Sequence, residues 1–169
     1  MTKITFITGG ARSGKSSFAQ KLAEELSASP VYLATARIWD KDFQKRVNRH
    51  KAERGEHWQT IEEEKQLSTL ILHDKTVVLD CITLWLTNIF HDNKYHVEKS
   101  LAEAKKEWDK FVRNDFQLLV VSNELGMGVH PEHESARKFI DLQGWMNQYI
   151  ANTAHIVYLM VSGLPVKIK

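Results

Sequence analysis

Gly9-Gly10-Ala11-Arg12-Ser13-Gly14-Lys15-Ser16 stands between a β-branched run and an amphipathic run. Gly, four residues, then Gly-Lys-Ser is the pattern of a phosphate-binding loop, and it constrains the fold more than any other stretch. Glycines let such a loop turn tightly, so that backbone N–H groups converge on phosphate oxygens. Lys15 supplies a mobile positive charge for the β/γ end of a triphosphate, and the Ser16 hydroxyl is a ligand for Mg²⁺. The helix that follows aims its positive dipole end at the same anion. The flanks agree. Lys3-Ile4-Thr5-Phe6-Ile7-Thr8 alternates and reads as the entering strand, and Phe18, Leu22 and Leu26 mark a helical face over Ser17–Leu26.

A chain of 169 residues fits one domain, 1–169, with a substantial core. A net charge of +2 is too small to argue for nucleic acid or an anionic membrane. The single cysteine, Cys81, excludes an intrachain disulfide and suits a reducing cytosol. The first strand begins within a few residues of Met1, which leaves no room for a signal peptide, and no apolar run is long enough for a bilayer. These features predict a soluble, cytoplasmic protein.

Strand and helix signals alternate. Strands are predicted at Ile4–Thr8, Val31–Ala34, Thr76–Leu79, Leu118–Ser122 and Ile156–Val161, with a short edge strand at Val166–Lys169. Helices are predicted at Ser17–Leu26, Asp40–Arg54, Ile82–Phe90, Val97–Val112 and Ala136–Asn152. Short apolar strands between helices imply an α/β, P-loop NTPase-like fold, a mostly parallel sheet with helices on both faces. Ligands then gather beyond the carboxyl ends of the strands.

Asp80 ends the apolar strand Thr76-Val77-Val78-Leu79. In phosphate-loop enzymes an aspartate so placed holds Mg²⁺ opposite the loop serine. The competing reading is a cap for the helix that follows. Arg46, Arg49, His50 and Arg54 share one face at helical spacing. That is either a solvated basic face or a setting that keeps His50 neutral and nucleophilic toward phosphorus. His130-Pro131-Glu132-His133 lacks further ligands at zinc spacing and reads as a loop. Glu124, after the strand ending at Ser122, is placed to position a hydroxyl or a metal-bound water, or to cap its own glycine-containing loop.

Together these segments resemble one family. The phosphate loop, Tyr32-Leu33-Ala34-Thr35, and Arg46 with His50-Lys51 and Arg54 match its first half. His57-Trp58-Gln59-Thr60-Ile61-Glu62, Val78-Leu79-Asp80-Cys81-Ile82-Thr83-Leu84-Trp85-Leu86-Thr87-Asn88, Ser122-Asn123-Glu124-Leu125-Gly126-Met127-Gly128 and Tyr158-Leu159-Met160-Val161-Ser162-Gly163-Leu164-Pro165 continue it. The chain resembles the bifunctional adenosylcobinamide kinase/adenosylcobinamide-phosphate guanylyltransferases of cobalamin assembly. The resemblance implies two reactions. The γ-phosphoryl group of ATP or GTP passes to the aminopropanol hydroxyl of adenosylcobinamide, and GMP from GTP is then attached to that phosphate with release of pyrophosphate. It also implies that His50 is the guanylyl-histidine, and that Gly9 to Ser16, with Lys15 also catalytic, cradle the triphosphate. Ala34, Thr35, Ala36, Lys51, Ala52, Glu53, Arg54, Glu62 and Asp80 would be further nucleotide contacts. Ser16 and Asp80 would hold Mg²⁺, and the assembly would be a homo-oligomer such as a trimer. Arg49 stands where relatives carry a second histidine.

The same residues allow two rival readings. A kinase alone would use the loop and leave His50 as a charge contact. A switch GTPase or nucleotide sensor would be expected to carry Asn-Lys-x-Asp, whereas Ser122-Asn123-Glu124-Leu125 follows the late strand.

Overall fold

The computed structural model describes residues 1–38 and 54–169. Their strands form a seven-stranded sheet in the order Gln59–Glu62, Val31–Ala34, Thr76–Asp80, Gln117–Asn123, Lys3–Gly9, Ile156–Val161, Leu164–Lys167. The strands are β1 (Lys3–Gly9), β2 (Val31–Ala34), β3 (Gln59–Glu62), β4 (Thr76–Asp80), β5 (Gln117–Asn123), β6 (Ile156–Val161) and β7 (Leu164–Lys167). Every neighbouring pair is parallel except β6 and β7, which form an antiparallel hairpin. The described helices are α1 (Lys15–Leu26), α2 (Ile82–Asp92), α3 (Val97–Phe111) and α4 (Glu134–Thr153), with a 3₁₀ turn at Leu67–Thr69.

The pleat sorts the strand side chains into two cores. Ile4, Phe6, Val77, Leu79, Leu118 and Val120 join the larger core, with Trp85 of α2, Trp108 of α3 and Met146 of α4. Ile7, Val78, Leu119 and Val121 join the smaller one, with Ala19 and Ala23 of α1. Residues of alternate parity on one strand therefore feed opposite faces, as a sheet covered on both sides requires. Small residues on α1 let it lie close over the sheet beside the phosphate loop. None of the described helices is long and apolar enough to cross a membrane.

Five strand predictions hold, and four helices appear where periodicity places them, with shifted ends. The helix Ser17–Leu26 begins two residues earlier, because Lys15 and Ser16 belong to its first turn behind a left-handed Gly14 (φ 91°). The edge strand is Leu164–Lys167 instead of Val166–Lys169, because the reversal occurs at Ser162 and Gly163, both at positive φ. Strand β3 was not predicted. Gln59-Thr60-Ile61-Glu62 has one apolar residue, and as an edge strand it needs no more. The predicted helix Asp40–Arg54 lies outside the described residues except for Arg54, which is in a bend.

Beyond the ends of β2 and β3 an ion-pair cluster ties three connections together. Arg37 bonds Glu64 at 2.6 Å and Asp92 at 2.8 Å, and Lys65 bonds Asp92 and Glu103, both at 3.1 Å. The hydrogen bond from Arg37 holds the Asp92 carboxyl well below the usual range, with Lys65 adding to it. A carboxylate with a depressed folded-state pKa stabilises above its unfolded value of about 3.9, and that contribution disappears as pH falls through the folded value. Asp92→Asn is therefore expected to lower the melting temperature at pH 7, with the gap to the parent narrowing only below about pH 4 and closing as the pH falls through the folded value, followed by thermal unfolding across pH.

Candidate active site

All described parallel strands present their carboxyl ends at one edge, and those predicted site residues that are described lie at or near it. Ala34 ends β2 and pairs in register with Glu62 of β3 and with Asp80 of β4. Gly9 ends β1 and pairs with Asn123 of β5 and Met160 of β6. Strand β5 separates the phosphate-loop strand from the aspartate strand.

The loop turns through residues only glycine serves well. Gly14 sits at φ 91°, and a Cβ on Gly9 would lie 2.7 Å from the Met160 carbonyl oxygen. Arg12, Ser13, Gly14, Lys15, Ser16 and Ser17 line a concavity of about 270 Å³. The Lys15 side chain is buried, and its Nζ donates to the Gly10 carbonyl at 2.6 Å and to Ser13 Oγ at 3.4 Å. Burial pulls its pKa below the ordinary lysine value, opposed by the nearby Asp80 carboxylate. An anion seated on the loop would supply the compensation that burial removes.

Asp80 is oriented rather than free. The buried Tyr32 hydroxyl donates to Asp80 Oδ2 at 2.8 Å, while burial, reinforced by the Asp80 charge, keeps the phenol protonated far above neutral pH. The Arg54 guanidinium lies 3.6 Å over the Tyr32 ring, and Trp58 meets the same ring edge-on at 6.4 Å. Arg54 Nε and Nη1 are buried with no hydrogen-bond partner among the described residues. The helix-cap reading of Asp80 gives way, since Cys81 is the N-cap of α2 and no side chain caps it. Tyr32→Phe keeps the stack and removes the donor. It is expected to cost about 1.5 kcal/mol in urea unfolding, the low end for a hydrogen bond to a charged group because Asp80 is only partly buried.

Other site residues divide by what their atoms already do. The Thr35 hydroxyl donates to the Cys81 carbonyl at 2.8 Å and accepts from the Cys81 N–H at 3.2 Å, so it clamps the ends of β2 and β4. The hydroxyl proton is thereby taken, so in this structure the Thr35 side chain offers no donor to a phosphate oxygen. The Cys81 thiol is buried and pushed up to about 12 by burial and by Asp80, which makes it inert. Glu124 caps its own loop, with Oε1 accepting from the Gly126 N–H at 2.8 Å, while its backbone N–H donates to the Gly9 carbonyl at 2.9 Å. His130 and His133 lie in irregular chain before α4, as the proline suggested. His50, Lys51, Ala52 and Glu53, with Arg46 and Arg49, fall outside the described residues.

Ser16 and Asp80 offer a hydroxyl and a carboxylate, hard oxygen donors that suit Mg²⁺. Among the described residues no three histidine, cysteine, aspartate or glutamate side chains converge on one point. Two oxygen donors beside a phosphate loop fit an ion that keeps waters and takes phosphate oxygens as ligands.

Sequence reasoning missed the Tyr32–Asp80 bond and the buried Asn88, whose Nδ2 donates to the Thr35 carbonyl at 2.8 Å and the Glu64 carbonyl at 3.0 Å. Asn88 thereby fixes the connections leaving β2 and β3. Both residues lie within quoted motifs, yet only the fold shows what they touch.

The family model described as cobinamide kinase / cobinamide phosphate guanyltransferase matches residues 5–168. The chain belongs to this family. Its membership in the cobinamide kinase / cobinamide phosphate guanyltransferase family is echoed by individual relatives. It is 38% identical over 187 residues to the bifunctional adenosylcobalamin biosynthesis protein CobU of Escherichia coli, covering 98% of this chain and 99% of that one. It is 36% identical over 171 residues to the bifunctional adenosylcobalamin biosynthesis protein CobP of Pseudomonas aeruginosa, covering 96% and 95%. Among solved structures, an ATPase from the type III secretion system of pathogenic bacteria superposes with a TM-score of 0.59 at 9% identity. That match covers 98% of this chain and 56% of the ATPase, and it supports the fold alone.

Proposed function

We propose that this chain phosphorylates adenosylcobinamide and then converts the product to adenosylcobinamide-GDP. The observation that carries the reading is the match of nearly the whole chain to a family named for both reactions. The geometry supplies parts that both reactions need: a phosphate loop with a buried lysine, and an oriented aspartate at the same sheet edge.

In the first step the aminopropanol hydroxyl attacks the γ-phosphorus of ATP or GTP and gives up its proton to solvent, the bond to the β-bridging oxygen breaks, and the nucleoside diphosphate leaves. Lys15 gives up its Gly10 carbonyl partner for β/γ oxygens, and backbone N–H groups of the loop hold the rest of the triphosphate. Mg²⁺ held by Ser16 and Asp80 supplies charge neutralisation on the phosphate oxygens when bound. Tyr32 keeps the Asp80 carboxylate in one orientation throughout.

In the second step His50 attacks the α-phosphorus of GTP, and pyrophosphate leaves. An oxygen of adenosylcobinamide phosphate then attacks that phosphorus, the P–N bond breaks, and His50 is freed. Covalent capture replaces one attack of phosphate on phosphate by two displacements, each with a better nucleophile or leaving group. Arg54, four residues beyond His50 in sequence, stacks on Tyr32 with two buried guanidinium nitrogens unpartnered among the described residues. It is suited to a nucleotide phosphate.

The test is incubation with adenosylcobinamide, Mg²⁺, ATP and GTP, with products read by mass spectrometry. Successive appearance of adenosylcobinamide phosphate and adenosylcobinamide-GDP supports the reading. Accumulation of the phosphate alone would leave a kinase, and no change in adenosylcobinamide would overturn both activities.

A further inference from the structure

The segment Tyr158–Pro165 carries one of the motifs by which the chain resembles its family, and neither reaction gives it a task. It forms the end of β6, the turn, and the start of β7. All four residues of β7 are exposed, with Leu164 70% and Val166 49% accessible, so this outer strand adds little to either core. The hairpin's close contact lies at its other end, where the turn meets the phosphate loop backbone to backbone.

Three contacts define that meeting. The Gly163 N–H donates to the Ser13 carbonyl at 3.0 Å. A Cβ on Gly14 would stand 3.1 Å from Gly163 Cα, and one on Gly9 would stand 2.7 Å from the Met160 carbonyl oxygen. A side chain at Gly9 would force the backbones apart, and one at Gly14 would crowd the turn. Behind them the Tyr158 ring packs edge-on against Phe18 of α1 at 5.1 Å, which joins β6 to the helix that follows the loop.

Peptide planarity turns the first contact into an orienting device. In a trans peptide the C=O and the next N–H point in opposite directions. With its carbonyl held by Gly163, the Ser13–Gly14 peptide directs the Gly14 N–H away from the hairpin. The Glu124 N–H does the same for the Gly9–Gly10 peptide by holding the Gly9 carbonyl at 2.9 Å. Both peptides belong to the loop whose N–H groups would receive phosphate, and Gly14 lines its concavity. The turn can reach only because Ser162 and Gly163 take φ 50° and 84°, the left-handed pair of a two-residue hairpin.

We propose that the β6–β7 turn is a positioning element of the phosphate loop, with Gly163 as its positioning residue: its N–H sets the orientation of the Ser13–Gly14 peptide and thereby triphosphate affinity. The inference rests on the reading that this loop binds a nucleoside triphosphate. A β-branched residue cannot hold φ 84° without moving the turn, whereas asparagine tolerates the left-handed region.

The experiment is calorimetric titration of GTP with Mg²⁺ into the parent, Gly163→Val and Gly163→Asn, each checked by thermal unfolding. Gly163→Val is expected to stay folded and to bind GTP about tenfold or more weakly, with Gly163→Asn recovering most of the affinity. A folded Gly163→Val with the parent's affinity would overturn the inference. Amide exchange in the unmodified protein gives a second readout that needs no variant. The Gly163 amide should exchange slowly and slow further with GTP bound, and exchange at an open-turn rate in both states would count against the proposal. Failure of the parent to bind GTP or ATP at all would instead remove the phosphate-loop reading beneath it.

Discussion

His50→Ala is expected to stop guanylylation while adenosylcobinamide phosphate continues to form. Removing a covalent nucleophile costs on the order of 10⁴–10⁶ in rate when no other group takes its place. Cys81, the only cysteine, offers no substitute, since its thiol is buried and held protonated. The γ-phosphoryl transfer asks nothing of a histidine, because positioning and charge neutralisation carry that step. The variant should therefore accumulate the first product and release no pyrophosphate above background. Coupled pyrophosphate detection and chromatography of the corrinoid products check both halves. Equal loss of both steps would mean that His50 serves nucleotide binding rather than covalent capture.

Lys15→Ala should damage both steps. Loss of one preorganised charge aimed at the reacting phosphates costs about 100- to 1000-fold in turnover. The deletion should not cost the fold in proportion. Lys15 is buried with a depressed pKa, so the unliganded protein holds a desolvated charge whose main partner is one loop carbonyl. Thermal unfolding should show little loss, or a gain, while both rates collapse. A matching fall in stability and in the two rates would point to a structural role for the lysine.

The two predictions lean on different kinds of legibility. Residues 3–26 were readable from the sequence alone, because a glycine loop between a strand and a helix leaves few alternatives. The alternating strands were readable too, since each feeds two cores and carries apolar residues on both faces. Strand β3 was not, because an exposed edge strand places no such demand on Gln59-Thr60-Ile61-Glu62. Asp80 was legible as a candidate from its position after an apolar strand, but its orientation was not. The Tyr32 hydroxyl that fixes it lies 48 positions away, and only the register of β2 against β4 brings the two together. Thr35 has a partner that the sequence does not show. Resemblance marks it as a nucleotide contact, and the fold spends its hydroxyl on the Cys81 backbone. The turn at Ser162 and Gly163 reads as an ordinary hairpin until the loop it supports is in view. His50 carries no spacing signal that separates a nucleophile from a solvated basic face, so its role rests on family resemblance.

The central claim is that one chain moves two different phosphates, and the most direct measurement asks which of them it captures. The protein is incubated with Mg²⁺ and GTP labelled at either the α- or the γ-phosphate, then denatured and washed. The account predicts acid-labile, alkali-stable label from α-labelled GTP, none from γ-labelled GTP, and none from either in His50→Ala. Protein that binds GTP yet retains no α-label would contradict it.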